Sequence, residues 1–290
     1  MKKLKIFDLI NGAALIVFSL LIVFPFIILI NQSFMSNETI MSEGYTLFPK
    51  EIVFHAYNYL LVENAFIYKG LFVSVFITSV GTLFCLCFTC SLAFGLSKKH
   101  LPYRKFITIV VLITMFFSGG LIPNYLLITA MGLKDSLLSL IVPVLISPWY
   151  MFLIRNFFME IPHEIEESAQ MDGATEYYIL WKIVVPISLP AIATIGLFYM
   201  VWHWNSWFPA SIYLDSQSKF PLQLVLKQII SNLDVSDKGE STETLDRIMR
   251  LPEESVKAAA TLITSLPIVC VYPFIQKYFV KGIVVGSIKG

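Results

Sequence analysis

Charge is what this chain has least of. Only 14% of its 290 residues are Asp, Glu, Lys or Arg, against about 25% in ordinary soluble domains, and that shortage excludes a water-solvated globular domain. A basic excess is missing as well. Twenty-one Lys and Arg face 20 Asp and Glu, for a net charge of +1, so no counterion-releasing surface is available and no nucleic acid is expected as a partner. There are four cysteines: Cys85, Cys87 and Cys90 in one apolar stretch and Cys270 in another. At about 100° per helical residue Cys85 and Cys87 face apart, so these thiols read as small hydrophobes and no metal site is expected. The four histidines (His55, His100, His163, His203) are scattered, with no H-E-x-x-H pattern and no carboxylate pair near an apolar stretch. No catalytic residue is assigned, and the absence of a G-x-x-x-x-G-K-[S/T] loop means that the chain brings no ATPase site of that type and no cofactor of its own.

What is present is apolar. Hydrophobic residues make up 57%, with 24 Phe and 13 Tyr, which excludes a disordered, charge-dominated chain. Six stretches contain no charged residue: Leu9 to Asn37 (29 residues), Gly70 to Ser97 (28), Phe106 to Leu133 (28), Ser136 to Ile154 (19), Ile183 to Leu214 (32) and Ala258 to Gln276 (19). A hydrocarbon layer of about 30 Å takes about 20 helical residues, so each can span. None shows the period-two alternation of barrel strands, and backbone groups in lipid must be bonded within their own element. The expected fold is therefore an all-α membrane protein of six transmembrane helices. Residues 1–290 read as one domain, with spans at about 9–34, 70–97, 106–131, 136–154, 183–214 and 258–276.

Lys2, Lys3 and Lys5 precede the first stretch as in a signal peptide. Its apolar length is about twice a signal core, and no small-residue cleavage site follows Pro25 and Phe26, so it reads as the first span. With the N-terminus inside, twelve Lys and Arg fall on the inner side and nine on the outer, which favours both termini in the cytoplasm. The compact cluster Lys98, Lys99, Arg104 and Lys105 carries most of that argument.

Transporters coupled to protons or sodium usually hold charged residues within their spans, and here His203 is the only ionisable group other than thiols and phenols. Any transport energy is then expected from outside the spans. The inner loop, residues 155–182, is the informative one. Pro162 suits a first helical position, and Glu164, Glu166 and Glu167 suit a helix N-terminus. Helical projection puts Ile161, Ile165, Ser168 and Ala169 on one face, and His163, Glu166, Glu167 and Gln170 on the other. Asp172 and Gly173 offer a stop and a turn, and a second helix begins at Ala174. The loop has six acidic and two basic residues, so an anionic lipid surface would repel it and a protein partner with a basic-rimmed groove fits better.

Glu167-Ser168-Ala169, then Asp172-Gly173-Ala174, then Ile183 and Pro186, resemble the E-A-A, D-G-A and I-x-x-P signature of the permease subunits of bacterial ABC importers. E-S-A-Q-M-D-G-A-T-E-Y-Y-I-L-W-K-I-V-V-P is similar to the carbohydrate-uptake, MalG-like branch, as are W-H-W-N-S-W-F-P and the ending K-Y-F-V-K-G-I-V-V-G-S-I-K-G. S-G-G-L-I-P-N-Y-L-L-I resembles the LplC/YtcP-like oligosaccharide permeases. The resemblance implies a type I importer permease fold in the bacterial cytoplasmic membrane, with a cytoplasmic coupling helix seated in a cleft of an ATPase. Implied partners are a homologous second permease subunit, two ATPase subunits that bind the ATP and Mg, and an extracellular sugar-binding protein. The implied ATPase-coupling residues are Ile165, Glu167, Ser168, Ala169, Asp172, Gly173, Ala174 and Pro186, with Ser168 standing where the family most often has Ala.

Cargo is less legible. Trp202, Trp204 and Trp207 lie beside His203 and Asn205, where aromatic faces could stack on sugar rings and polar groups bond hydroxyls. An interfacial aromatic belt accounts for the same cluster. Asn124 and Tyr125 of the third span are further pathway candidates. The outer loop, residues 215–257, carries eight acidic and six basic residues and reads as a solvated face, with helices over L-Q-L-V-L-K-Q-I-I and D-R-I-M-R-L-P-E-E-S-V-K and a turn at S-D-K-G-E-S-T. The resemblance suggests that this loop meets the binding protein. A peptide or other non-sugar cargo, or a non-transporting scaffold held among membrane lipid, remains an alternative at this level.

Overall fold

The computed structural model describes residues 6–36, 39–40, 42, 44, 51–236 and 253–287. The described residues are mostly helical, without strands among them. Of the turn expected at residues 236–242, Ser236 belongs to a helix and the rest lies outside the described residues, as do most of the second outer-loop helix and Lys2, Lys3 and Lys5.

The chain divides into two compact units, one from residues 1–67 and 226–267, the other from 68–225 and 268–290. In the first unit, α1 (Ile6–Gln32) is long and apolar enough to cross a membrane, and the most apolar part of its length has no buried residue. Its outward Leu, Ile, Val and Phe side chains need an apolar solvent. At its C-terminal end Phe34 packs edge-on to Phe54 (5.5 Å) and against Tyr57 (5.1 Å). Ser255 Oγ donates to the Met35 carbonyl (2.6 Å) and Gln32 Nε2 to Glu254 Oε2 (3.2 Å).

In the second unit α2 (Ala65–Ser97) is an uninterrupted helix. The next three apolar stretches are broken. The third is α3 (Arg104–Phe116) and α4 (Leu121–Ala130), bent by 119°. Ser118, Gly119 and Gly120 cause the break, since Gly120 takes φ +84°, a left-handed value that favours glycine. The fourth is a pair of 3₁₀ turns over Leu137–Val144 bent 51° from α5 (Pro148–Met159), because Pro143 and Pro148 cannot donate to a continuing helix. The fifth bends by 88° at Ser188, between Glu176–Ile187 and α7 (Leu189–Trp204), with Pro186 and Pro190 on either side. It stops again at Asn205 and Ser206 before α8 (Trp207–Tyr213). All these breakers are uncharged, so a search for charge-free runs passes over them. Among the described residues two further helices follow, α9 (Leu222–Ser236) and α10 (Glu253–Ser287), and each contributes residues to both units.

The core of the second unit joins Cys85, Cys90 and Phe94 of α2 to Met151, Ile154 and Phe158 of α5 and to Ile192, Ile195 and Tyr199 of α7. Tyr199 holds it together by hydrogen bonds, its hydroxyl 2.8 Å from Thr89 Oγ1 and accepting from the Ser147 amide at 2.9 Å. Gly81 lets α2 and α7 meet: a Cβ there would stand 2.6 Å from His203 Nε2.

Asp135, at φ +53°, clasps the turn before the fourth stretch to the segment after α8. Its carboxylate accepts from the Asp215 and Ser216 amides (3.0 and 2.9 Å), from Ser216 Oγ (2.6 Å) and from Lys219 Nζ (2.7 Å). The Lys219 bond, then those from Ser216, hold this carboxyl well below the usual carboxylate range. A group whose pKa is depressed on folding stabilises above its unfolded pKa, about 3.9, and loses that contribution as pH falls through the lower folded value. The clasp should therefore persist at pH 5. Asp135→Asn should let protease cut between Asp215 and Lys219 at pH 7 at several times the wild-type rate, and equal rates would remove the clasp from the account.

Candidate functional site

The acidic inner loop folds as α6 (His163–Met171), which follows α5 in the chain. Pro162 is its N-cap, with ψ 133°, rather than its first helical residue. The helix ends in a Schellman motif. The Gly173 amide donates to the Gln170 carbonyl and the Ala174 amide to the Ala169 carbonyl, each at 2.9 Å, and Gly173 sits at φ +84°. Thr175 then caps the next helix, accepting from the Tyr178 amide at 3.3 Å.

The inward face of α6 differs from the one projected from the sequence. Ile161, Ala169 and Ala174 pack against the core of the second unit, and Glu166, placed on the solvent face by projection, is buried. Ile165, Glu167, Ser168, Asp172 and Gly173 are exposed, and Met171 most of all at 88%. The helix is thus rotated by roughly a quarter turn from the expected orientation. Glu166 causes it, because its carboxylate reaches Lys98, the first residue after α2, in an ion pair that leaves the two side chains 8% and 11% exposed. A buried charge needs a partner, and here the partner fixes the helix rotation. No sequence signal joins two residues 68 apart. The Ser168 hydroxyl donates to the Glu164 carbonyl at 2.7 Å. Pro186 is exposed near the bend at Ser188.

The second element of the site is a cavity of about 470 Å³, lined by Asn124, Leu127 and Ile128 of α4 and Met131 just after it, by the 3₁₀ turns from Ser139 to Val144, and by Trp202, Pro209 and Tyr213. It exists because the third, fourth and fifth stretches are broken, leaving short helices that converge. Tyr125 stacks on Tyr213 (6.4 Å, 13°) and carries Lys134 over its ring at 6.0 Å. Of the tryptophan cluster only Trp202 lines the cavity. His203 and Trp204 are 1% and 5% exposed, with His203 Nε2 against Gly81 and 3.5 Å from Cys85 Sγ. They lie in the packed interior, because consecutive helical residues point about 100° apart and α7 presents one side to α2. Asn205 bonds back to the Val201 carbonyl (2.8 Å), and Trp207 stands edge-on to Phe208 at 5.6 Å.

The model of binding-protein-dependent transport system inner membrane components matches residues 7–285. The chain belongs to that family. This permease is 40% identical to the polygalacturonan/rhamnogalacturonan transport system permease protein YtcP of Bacillus subtilis strain 168, over 99% of its own length and all of that protein. It is also 40% identical to the protein LplC of the same organism, over 89% of its own chain and 86% of the other. Among solved structures it superposes on a chain of a bacterial ABC transporter involved in import of the acidic polysaccharide alginate, with a TM-score of 0.84 and 30% identity, covering 96% of this chain and 98% of that one. This permease is therefore a multi-pass membrane protein with the type I importer fold and a transport subunit.

Proposed function

We propose that this permease translocates an oligosaccharide handed over by an extracellular binding protein. A homologous second permease subunit pairs with it, and two ATPase subunits, which bind the ATP and Mg, drive it from the cytoplasm through α6. Both termini then lie in the cytoplasm. The observation that carries this reading is α6 itself: an exposed acidic helix with Glu167, Ser168 and Met171 turned outward, closed by a glycine turn and held to the core on its opposite side. That surface suits a basic-rimmed cleft, and the core-held side lets a push on the helix reach the spans. Coupling residues in contact with the ATPase are then Ile165, Glu167 and Ser168, while Asp172 and Gly173 shape the turn and Ala169 and Ala174 seat the helix on its own protein.

The cavity fits the cargo class. Its volume lies in the range of small-ligand sites, roughly 300–1,000 Å³, and Trp202, Tyr213 and Asn124 offer two aromatic faces and an amide without a charged group in the lining. Such a wall can stack on sugar rings and exchange hydroxyl bonds. The relatives' names point the same way, to oligomeric carbohydrate.

The reading is tested in vesicles holding the complete transporter, with a labelled oligogalacturonate and an arabino-oligosaccharide as probes. Glu167→Lys should lose uptake of the transported probe and retain less ATPase subunit on purification. Trp202→Ala should lose most uptake while keeping the ATPase subunit, and Trp204→Ala should instead lower the yield of folded protein. Normal uptake in Glu167→Lys would overturn the coupling assignment, and normal uptake in Trp202→Ala the cavity assignment.

A further inference from the structure

Lys98 and Glu166 carry more than the rotation of one helix. Three cations converge where α2 ends. Arg104 Nε and Arg155 Nε both donate to the Leu96 carbonyl, at 2.9 and 3.0 Å, which is where a helix presents unsatisfied carbonyls and negative partial charge. Lys98 alone reaches past that end to α6. Its ammonium also lies 4.0 Å from the centre of the Phe94 ring, and Phe94 stands edge-on to Phe158 of α5 at 6.4 Å. The ion pair is therefore backed by a fixed aromatic wall. It also ties α6 directly to a helix distant in sequence.

That helix leads to the cavity. From Lys98 to Cys85 is about 20 Å along α2 at 1.5 Å per residue. Cys85 Sγ lies 3.3 Å from the carbonyl of Val144, which lines the cavity, and the Thr89 hydroxyl is bonded to Tyr199, whose hydroxyl holds the Ser147 amide. Every step is a bond or a rigid helix turn. A pair that only seated α6 on its apolar stripe would not need two buried charges, because Ile161, Ala169 and Ala174 already do so.

We infer that the buried Lys98–Glu166 ion pair is the joint through which movement of α6 is passed to α2 and from there to the cavity wall. Lys98 and Glu166 are positioning residues: neither touches nucleotide or cargo. The inference rests on the docking of α6 on an ATPase proposed above. Removing either charge leaves the other buried without its counter-charge, and α6 then shifts against α2 instead of carrying it.

Hydrogen–deuterium exchange on the assembled permease–ATPase complex tests this without knowledge of the cargo. ATP with vanadate should change exchange in peptides covering Asn124–Met131 and Ser139–Val144 of the wild type. In Glu166→Gln and Lys98→Met the change should be at least about fivefold smaller, although vanadate still traps nucleotide and the ATPase subunit still co-purifies. Glu166→Asp, which keeps the charge and shortens its reach, should fall between, and it serves if the charge-removing variants do not fold. The exchanged pair Lys98→Glu with Glu166→Lys should recover at least half of the wild-type change. A wild-type response in Glu166→Asp and in whichever charge-removing variant folds, or no recovery in the exchanged pair, overturns the joint. Failure of the docking proposal shows differently: Glu167→Lys would then keep the ATPase subunit, nucleotide trapping and the full exchange response.

Discussion

Gly173→Val should abolish coupled uptake while leaving the chain in the membrane. The residue takes φ +84°, and a Cβ there would meet nothing within 4 Å, so the penalty is conformational rather than a clash. A branched L side chain in the left-handed region costs about 1–2 kcal/mol, enough to reduce the population of a correctly closed turn by a factor of roughly 5–30. The turn carries two amide bonds of 2.9 Å, from Gly173 to Gln170 and from Ala174 to Ala169, and it sets where α6 ends and the next helix leaves. Losing it moves the surface offered to the ATPase by several ångströms with no change in that surface's chemistry. Gly173→Asn should keep most uptake, since Asn visits this region far more readily. The measurement is uptake and ATP hydrolysis side by side in reconstituted vesicles. Equal activity of the Val and Asn variants would show that the turn has no part in coupling.

Gly81→Ala should be the most damaging single-methyl change in the second unit. The added carbon would lie 2.6 Å from His203 Nε2 and 2.7 Å from Cε1, distances that neighbouring atoms do not adopt. His203 is 1% exposed and has no room to swing away, so α2 and α7 must separate. Overpacking of this kind costs about 1–3 kcal/mol, and the separation also opens the path from α2 to the cavity wall. Thermal unfolding in detergent should show a clear fall in midpoint, together with reduced vanadate-dependent exchange at Ser139–Val144. The double variant Gly81→Ala with His203→Ala should be less destabilised than the two single effects added, because removing the ring leaves space for the methyl. Strict additivity would show that the two residues do not meet.

Much of the fold could be read from where charge is missing. Stretches without charge and of spanning length can end only at charged or turn residues, which is why the reading reached an all-α membrane protein. What it missed were breaks made of uncharged residues. Ser118-Gly119-Gly120, Pro143 and Pro148, and Ser188 between Pro186 and Pro190 interrupt apolar runs without altering their hydropathy, and these breaks build the cavity. The tryptophan cluster shows the same limit on a smaller scale. Trp202, His203 and Trp204 are consecutive, yet α7 turns the first to the cavity and buries the next two, since helix rotation separates neighbours that composition groups together.

The shortage of charge, taken alone, determined that this protein lives in lipid and that its six charge-free stretches hold no Asp, Glu, Lys or Arg. The E-S-A and D-G-A residues determined the family and the presence of a turned, exposed helix, because a glycine at that spacing has few other uses. Only tertiary structure decided which side of that helix faces outward. Amphipathic projection weighs apolar residues and sends every Glu to solvent, whereas Glu166 turns inward because Lys98 is there to neutralise it. A pairwise interaction across 68 residues leaves no trace in local periodicity, and it is the interaction on which the link from α6 to the cavity depends.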